Sequence, residues 1–379
     1  MSPRPDSDTR PRAAGPGTRD AHGVPAGSVP AARAGTRARE LVVESTGGAR
    51  LHTVVREPAR PTGADASAAP VPTIVLAHGW TCAIPFWDAV VDRLPEDHRV
   101  VRYDQRGHGR TPAVRRGCAP ERLADDLCAV LAATVPDGER AVVGGHSMGA
   151  MSIVAAADRP TFRERAGAAV LCSTGTDRLI PEARVAPLRS VALRARVQRL
   201  MLGSALPMGP VTPLTEWALA RATLGPGADR RLRREVAGLV HACPRRARAQ
   251  WAAVLASLDL REKLPMLTVP TVVVHGTADL LTPPVHAHRI ARALPNAGEP
   301  VMLPGLGHMT PMEAPERIAG ILREQAGEHP PGGASDRALR PEGVIEGAGS
   351  AGSAENGAGE GAWSTDAVTG GRAGGGEEA

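Results

Sequence analysis

The stretch GGHSMGA, residues 144–150, places one hydroxyl, that of Ser147, between Gly145 and Gly149, directly after the apolar run Ala141-Val142-Val143. Glycine on both sides removes two Cβ atoms, which matters where the backbone turns too sharply for side chains to fit. Residues Ala150 to Ala157 are mostly good helix formers. The local reading is therefore strand, tight turn and helix, with Ser147 at the apex. A serine hydroxyl becomes a useful nucleophile once a base takes its proton and a third group orients that base. The competing reading is a glycine-rich turn whose serine caps the next helix. The strand before and the helix after favour a nucleophile held clear of a sheet edge.

The base must come from a loop after a later strand, so that the fold can carry it to Ser147. His308, in LPGLGHMTPMEAPE, follows an apolar run, lies in a glycine-flanked loop and precedes a helix. The orienting acid should fall between the two in sequence, at another strand end. Asp279, in VVVHGTADLLTPP, meets that condition. Asp177, soon after the run at 166–174, is the alternative one strand earlier, and Asp259 reads as a surface residue of a helix. Acyl transfer also needs donors for a developing oxyanion. The backbone N–H of Met148 comes free at the helix start, where the dipole favours negative charge. The second donor is the N–H of Trp80, just after the strand that ends in AHG; its indole could equally fill an apolar pocket mouth.

These residues require elements to place them. Arg39–Glu44 and Leu51–Arg56 alternate weakly on either side of STGG, as hairpin strands do. PTIVLAHGW and RVVRYDQRGHGR are continuous apolar runs ending in glycine loops, the pattern of strands buried on both faces. Helical spacing follows each, at 87–94 and 120–133. Further strands are read at 141–144, 166–174, 271–279 and 299–308, with helices near 284–294 and 311–325. From 177 to 264 the alternation stops and the pattern is helical throughout. Such β–α alternation implies an α/β fold with a mostly parallel sheet flanked by helices, and the helical stretch is an insertion between two strands.

The ends differ from this core. Residues 1–38 and 328–379, rich in Pro, Ala and Arg and in Gly, Ala and Glu respectively, could not bury enough apolar area to offset the entropy of ordering. They read as a disordered extension and a disordered tail around a folded domain at 39–327. The net charge of +5 is uneven: the tail from Glu328 carries three arginines against nine acids. Aromatic residues are 2% of the chain and no nucleic-acid motif interleaves with the arginines, so the basic core does not read as a nucleic-acid surface. Five cysteines without C-x-x-C spacing argue against a disulfide framework or zinc site and fit a cytoplasmic location. No apolar run approaches membrane-spanning length.

Taken in order, AHGW, YDQRGHGRT, GGHSMGA, HGTADLLTPP and LPGLGHMTPMEAPE resemble the α/β-hydrolase superfamily, in particular its carboxylesterases, lipases and cofactor-free haloperoxidases. The resemblance implies Ser147 as nucleophile, His308 as base, Asp279 as orienter, and Trp80 and Met148 as oxyanion donors. It implies a helical cap at about 177–264, a small acyl substrate and no cofactor or metal, and leaves the oligomeric state open. The expected reaction is cleavage of an ester, lactone or thioester. Alternatives on the same fold are C–C bond hydrolysis, perhydrolysis, or ligand binding without turnover.

Other features read as structural. His146 packs beneath the turn. His286 and His288, two residues apart on a helix, face different sides and make a poor metal pair. The loop DQRGHG lacks the Lys-Ser/Thr ending of a phosphate cradle and shapes the loop behind the site. The stripes at 186–202 fit a half-buried amphipathic helix. Leu200, Met201, Met208, Leu214, Trp217 and Trp251 could line an acyl site or serve ordinary cap packing.

Overall fold

The computed structural model describes residues 37–58, 71–115, 117–186, 188–204 and 210–331. The two ends read as disordered lie almost wholly outside these residues, as does Met208.

The chain opens with β1 (Ala38–Ser45) and β2 (Ala49–Arg56), an antiparallel hairpin with Leu41 opposite Thr53. β3 (Thr73–Ala77) follows, then a 3₁₀ turn at Ile84–Trp87 running into α1 (Asp88–Val91), and β4 (Arg99–Tyr103). Next come α2 (Pro120–Thr134), β5 (Ala141–His146), α3 (Met148–Ala155), α4 (Pro160–Arg165) and β6 (Ala166–Cys172). The helical insertion comprises α5 (Leu179–Glu182), α6 (Val191–Gly203), α7 (Pro213–Thr223), α8 (Arg230–Ala242) and α9 (Arg245–Ala256). The sheet resumes with β7 (Thr271–Gly276), α10 (Val285–Ala293), β8 (Val301–Leu303), α11 (Thr310–Glu313) and α12 (Pro315–Glu328).

The eight strands order as β1-β2-β4-β3-β5-β6-β7-β8. Among the described residues, only the β1–β2 and β2–β4 pairings are antiparallel. From β4 to β8 every pairing is parallel, so the carboxyl ends of β3, β5, β7 and β8 open along one edge. The continuous apolar runs are explained by burial on both faces. In β3, Val75 and Ala77 join the core beneath α2 and α3, while Ile74 and Leu76 join the core beneath α1 and α12. Val142 and Val143 of β5 divide the same way.

Two expected helices are shorter than their spacing suggested. The segment near 87–94 is a 3₁₀ turn and one α turn, and the helix from 311 breaks at Ala314 (φ −138°, ψ 59°), ahead of Pro315. Proline disfavours a helical conformation in the residue before it. The insertion is stitched to the sheet edge by backbone. Leu260 N–H donates to the Thr176 carbonyl at 2.8 Å, and Arg184 N–H to that of Leu280 at 2.7 Å. The Trp251 indole on α9, fully buried, donates to the Arg106 carbonyl at 2.9 Å. Among the described residues, no helix is long and apolar enough to cross a membrane.

Candidate active site

β5 delivers Ser147 to the sheet edge in a conformation that side chains rarely adopt, φ +51° and ψ −116°. Such strain persists only where the surroundings over-determine it. The surroundings here are explicit. Ser147 N–H donates to the Cys172 carbonyl at 2.9 Å, and the Thr174 hydroxyl donates to the Ser147 carbonyl at 2.9 Å. The flanking glycines are required by close approach: a Cβ on Gly145 would lie 2.5 Å from the Ala150 nitrogen, and one on Gly149 would lie 2.1 Å from the Ala77 carbonyl oxygen. Ser147 precedes α3, yet its side chain makes no capping hydrogen bond. A serine that merely caps would spend its oxygen on the first-turn amides.

The loop after β8 brings His308 to the same edge. Its ring meets the ring of His146, the residue before Ser147, edge to face at a centroid distance of 4.9 Å. His146 in turn stacks on Phe86 at 4.5 Å, and its Nε2 lies 2.9 Å from the His308 carbonyl oxygen. Burial, with His308 adding to it, pushes the His146 imidazolium well below its ordinary range. The neutral ring can therefore donate from Nε2 to that carbonyl and hold the His308 backbone against the elbow.

Asp279, at the end of β7, accepts from His308 Nδ1 at 2.8 Å. Its other oxygen accepts the N–H groups of Leu281 and Thr282 at 2.8 and 3.0 Å, an Asx-type turn that fixes the carboxylate plane. The Thr282 hydroxyl donates to Asp279 at 2.8 Å and lies 3.2 Å from His308 Nδ1. His275 Nε2 stands 3.3 Å from the same carboxylate and 2.5 Å from the Thr282 carbonyl oxygen. Burial alone would raise the Asp279 carboxyl, but the facing His308 and His275 more than offset it and hold the group far below the usual carboxylate range.

Trp80 lies in the loop after β3, which two neutral histidines hold. His108 Nε2 accepts the Thr81 N–H at 3.2 Å, and His78 Nε2 accepts the Gln105 N–H at 3.1 Å. Each bond needs a bare Nε2, so each ring carries its proton on Nδ1, which donates to Arg106 O and Gly79 O respectively. Burial drives both imidazoliums down, that of His108 to about 3. Asp104 completes the anchor by accepting the Ile84 N–H at 2.8 Å, the Arg110 N–H at 2.9 Å and His52 Nδ1 at 3.0 Å. Met148 N–H opens α3, where the first amides have no partner within the helix. The Trp80 indole donates to the Arg248 carbonyl of α9 at 3.0 Å, so its ring packs against the insertion.

The remaining candidates fall elsewhere. Asp177 accepts from Arg289 at 3.0 Å and faces Arg261 at 3.8 Å, a structural ion pair instead of a partner for His308. Asp259 is exposed just after α9 and pairs with Arg261. Leu200, Leu214 and Trp217 are 76%, 72% and 59% exposed, which removes them as walls of an enclosed acyl pocket. Trp251 is committed to the Arg106 carbonyl. His286 is buried 3.2 Å from Glu182 while His288 is exposed, so the two point apart. Thr282, His275 and the His78–His108 pair escape a reading by motif; the D-x-x-T spacing of Asp279 and Thr282, an Asx-turn pattern, is the one sequence signal that could have found any of them.

A model of the alpha/beta hydrolase family matches residues 74–321. The pimeloyl-[acyl-carrier protein] methyl ester esterase of Nitrosomonas europaea is 28% identical over 276 residues, covering 66% of this chain and 94% of the relative. The Mycobacterium tuberculosis protein named "Probable oxidoreductase EphD" is 26% identical over 283 residues, or 67% of this chain; the match spans 45% of that longer protein. Among solved structures, a thermophilic esterase from Thermogutta terrifontis superposes with a TM-score of 0.58 at 24% identity, covering 77% of this chain and 99% of its own.

Proposed function

The chain belongs to the alpha/beta hydrolase family, and from that premise we propose that it is a serine hydrolase of carboxylic esters working through an acyl-Ser147 intermediate. The observation that carries the reading is the Asp279–His308 hydrogen bond of 2.8 Å set beside the strained elbow. Asp279 fixes the His308 proton on Nδ1 and leaves Nε2 as the base. Ser147 Oγ attacks the ester carbonyl while Nε2 takes its proton, and the oxyanion settles between the N–H groups of Trp80 and Met148. The tetrahedral adduct expels the alkoxide, which leaves as an alcohol with the proton from Nε2. Water then attacks the acyl-Ser147 carbonyl, giving its proton to Nε2; the acid departs and Ser147 recovers its hydrogen. The sequence of steps calls on no cofactor. The helical insertion serves as the cap over this edge and holds Trp80 from above through Arg248. Support for an ester as substrate comes from the esterase relative and from the absence of a carboxylate at position 147, where epoxide- and halide-cleaving chemistry on this fold needs one.

The test is Ser147→Ala. Hydrolysis of a short p-nitrophenyl ester is expected to fall by about 10⁵-fold or more, with an unchanged melting temperature, and fluorophosphonate labelling of position 147 is expected to vanish. Undiminished turnover in the folded variant refutes the reading.

A further inference from the structure

The turn after α7 and the loop that carries His308 lie backbone against backbone. The Thr223 carbonyl at the end of α7 accepts both the His308 N–H at 2.8 Å and the Met309 N–H at 3.2 Å. No side chain fits between the two segments: a Cβ on Gly225 would lie 2.1 Å from the Gly305 carbonyl oxygen, and one on Gly307 would lie 2.4 Å from the Leu224 carbonyl carbon. Glu313, on α11, closes this seam from the side. Its Oε2 accepts the Gly225 N–H at 2.7 Å, while the Gly307 N–H stands 2.9 Å from Oε1 and 3.1 Å from Oε2. One carboxylate thus grips an amide of the helical insertion and the amide next to His308.

A carboxylate suits this place because it offers two acceptor oxygens and no donor. Glutamine would keep one acceptor and turn an NH₂ toward an amide N–H. Among the described residues, the partners of Glu313 in this seam are the backbone amides of Gly225 and Gly307, so its reach is to backbone whose position sets that of the imidazole. Thr223 and Gly225 belong to the insertion, and Gly307 and His308 to the sheet edge.

We infer that Glu313 is a positioning residue that clasps the turn after α7 to the His308 loop, so that the placement of the imidazole beside Ser147 depends on the insertion being docked. The inference rests on the triad reading above. It makes the insertion part of the catalytic geometry as well as a roof: an insertion lifted at α7 withdraws the Thr223 carbonyl from the His308 and Met309 amides. A merely stabilising glutamate would lower the melting temperature and leave the turnover of the folded fraction unchanged.

The test uses the full chain with Glu313→Gln, read by hydrogen exchange, ester kinetics and fluorophosphonate labelling of Ser147. Exchange is expected to rise in both 219–227 and 303–312 and to stay unchanged in β3 and β5. The kcat and the labelling rate should fall together by about tenfold, since small misplacements of a catalytic group are costly, while KM stays within about twofold. Glu313→Asp, which keeps two acceptor oxygens, should recover part of that loss, and it carries the same measurements if Glu313→Gln does not fold. Unchanged kcat in a folded variant, an effect confined to KM, or exchange rising in only one of the two segments overturns the proposal. A wild-type chain that the reagent leaves unlabelled refutes the triad and the positioning role with it; labelled wild type with an unaffected variant refutes the clasp alone.

Discussion

Asp104 and Asp279 are built alike and placed differently. Each is almost fully buried, accepts two backbone amides and takes the Nδ1 of a histidine. In each, burial would raise the carboxyl and the facing groups reverse the sign: His52, His78 and two amides at Asp104, His308 and His275 at Asp279. A depressed carboxyl in a satisfied pocket therefore does not mark the catalytic acid. What separates the two is where the histidine points. His308 lies against His146 at the elbow, whereas His52 lies on β2 with its other nitrogen 3.5 Å from Glu40 at the antiparallel side of the sheet. On the proposed mechanism one aspartate orients a base; the other ties down the loop that bears Trp80.

Exchanging each carboxylate for its amide separates the roles. In Asp279→Asn the new NH₂ would face His308 Nδ1 and push its proton to Nε2, the wrong tautomer for a base. The kcat is expected to fall about 10⁴-fold with a modest change in unfolding free energy, as a tautomer error allows. Asp104→Asn should do the reverse. It sets an NH₂ against the Ile84 or Arg110 amide and is expected to cost about 2–3 kcal/mol in urea unfolding, with no more than about a tenfold loss in kcat. Equal kcat losses at equal stability would erase the distinction.

This pair also shows what a sequence carries and what it withholds. The strands were legible because burial on both faces writes itself as an unbroken apolar run, as in Thr73–Ala77. The elbow was legible because Gly145 and Gly149 answer to local backbone approach, within a few residues of Ser147. Asp279 and Asp177 each follow a strand, and what divides them is spatial: His308 reaches Asp279, while Arg289 from α10 occupies Asp177. Glu313 and the His78–His108 staple depend on partners far apart in sequence, which no local spacing records. The insertion was legible as helices but not as a surface. An Arg–Leu pattern looks the same whichever way the helix docks, and Leu214 and Trp217 turned out to face solvent.

The loop held by Asp104 should also respond to acid in a way the Asp279 turn does not. His108 is neutral in the folded chain, its imidazolium pushed down to about 3, while an unfolded histidine titrates near 6.5. Below about 6.5 the unfolded chain binds this proton and the folded chain does not. Stability is therefore complete above that value and declines as the pH falls toward 3, by up to about 1.4 kcal/mol per pH unit for the one site. His108→Gln, which can still accept the Thr81 N–H, is expected to flatten the slope of unfolding free energy by about that amount between pH 6 and 4. An identical slope in the variant would show that His108 takes a proton without unfolding. Protonation in the folded state would set an N–H against the Thr81 N–H, so the same titration should precede any loss of the Trp80 loop.

The smallest effect is expected at His52, and its smallness is what gives the comparison its meaning. His52 and His308 hold their aspartates through the same ring nitrogen at 3.0 and 2.8 Å. By bond geometry alone they are equivalent bases. His52, however, is half-buried beside Glu40 on the hairpin side of β4, three strands from β5 in the sheet order. His52→Gln keeps a donor for Asp104 and should lower stability by less than about 1 kcal/mol, with kcat/KM within about twofold of the wild type. A hundredfold loss in kcat/KM at unchanged stability would mean that the Asp104 pair reaches the reacting atoms, and that the carboxylate at the end of β7 had been credited with work done at the end of β4.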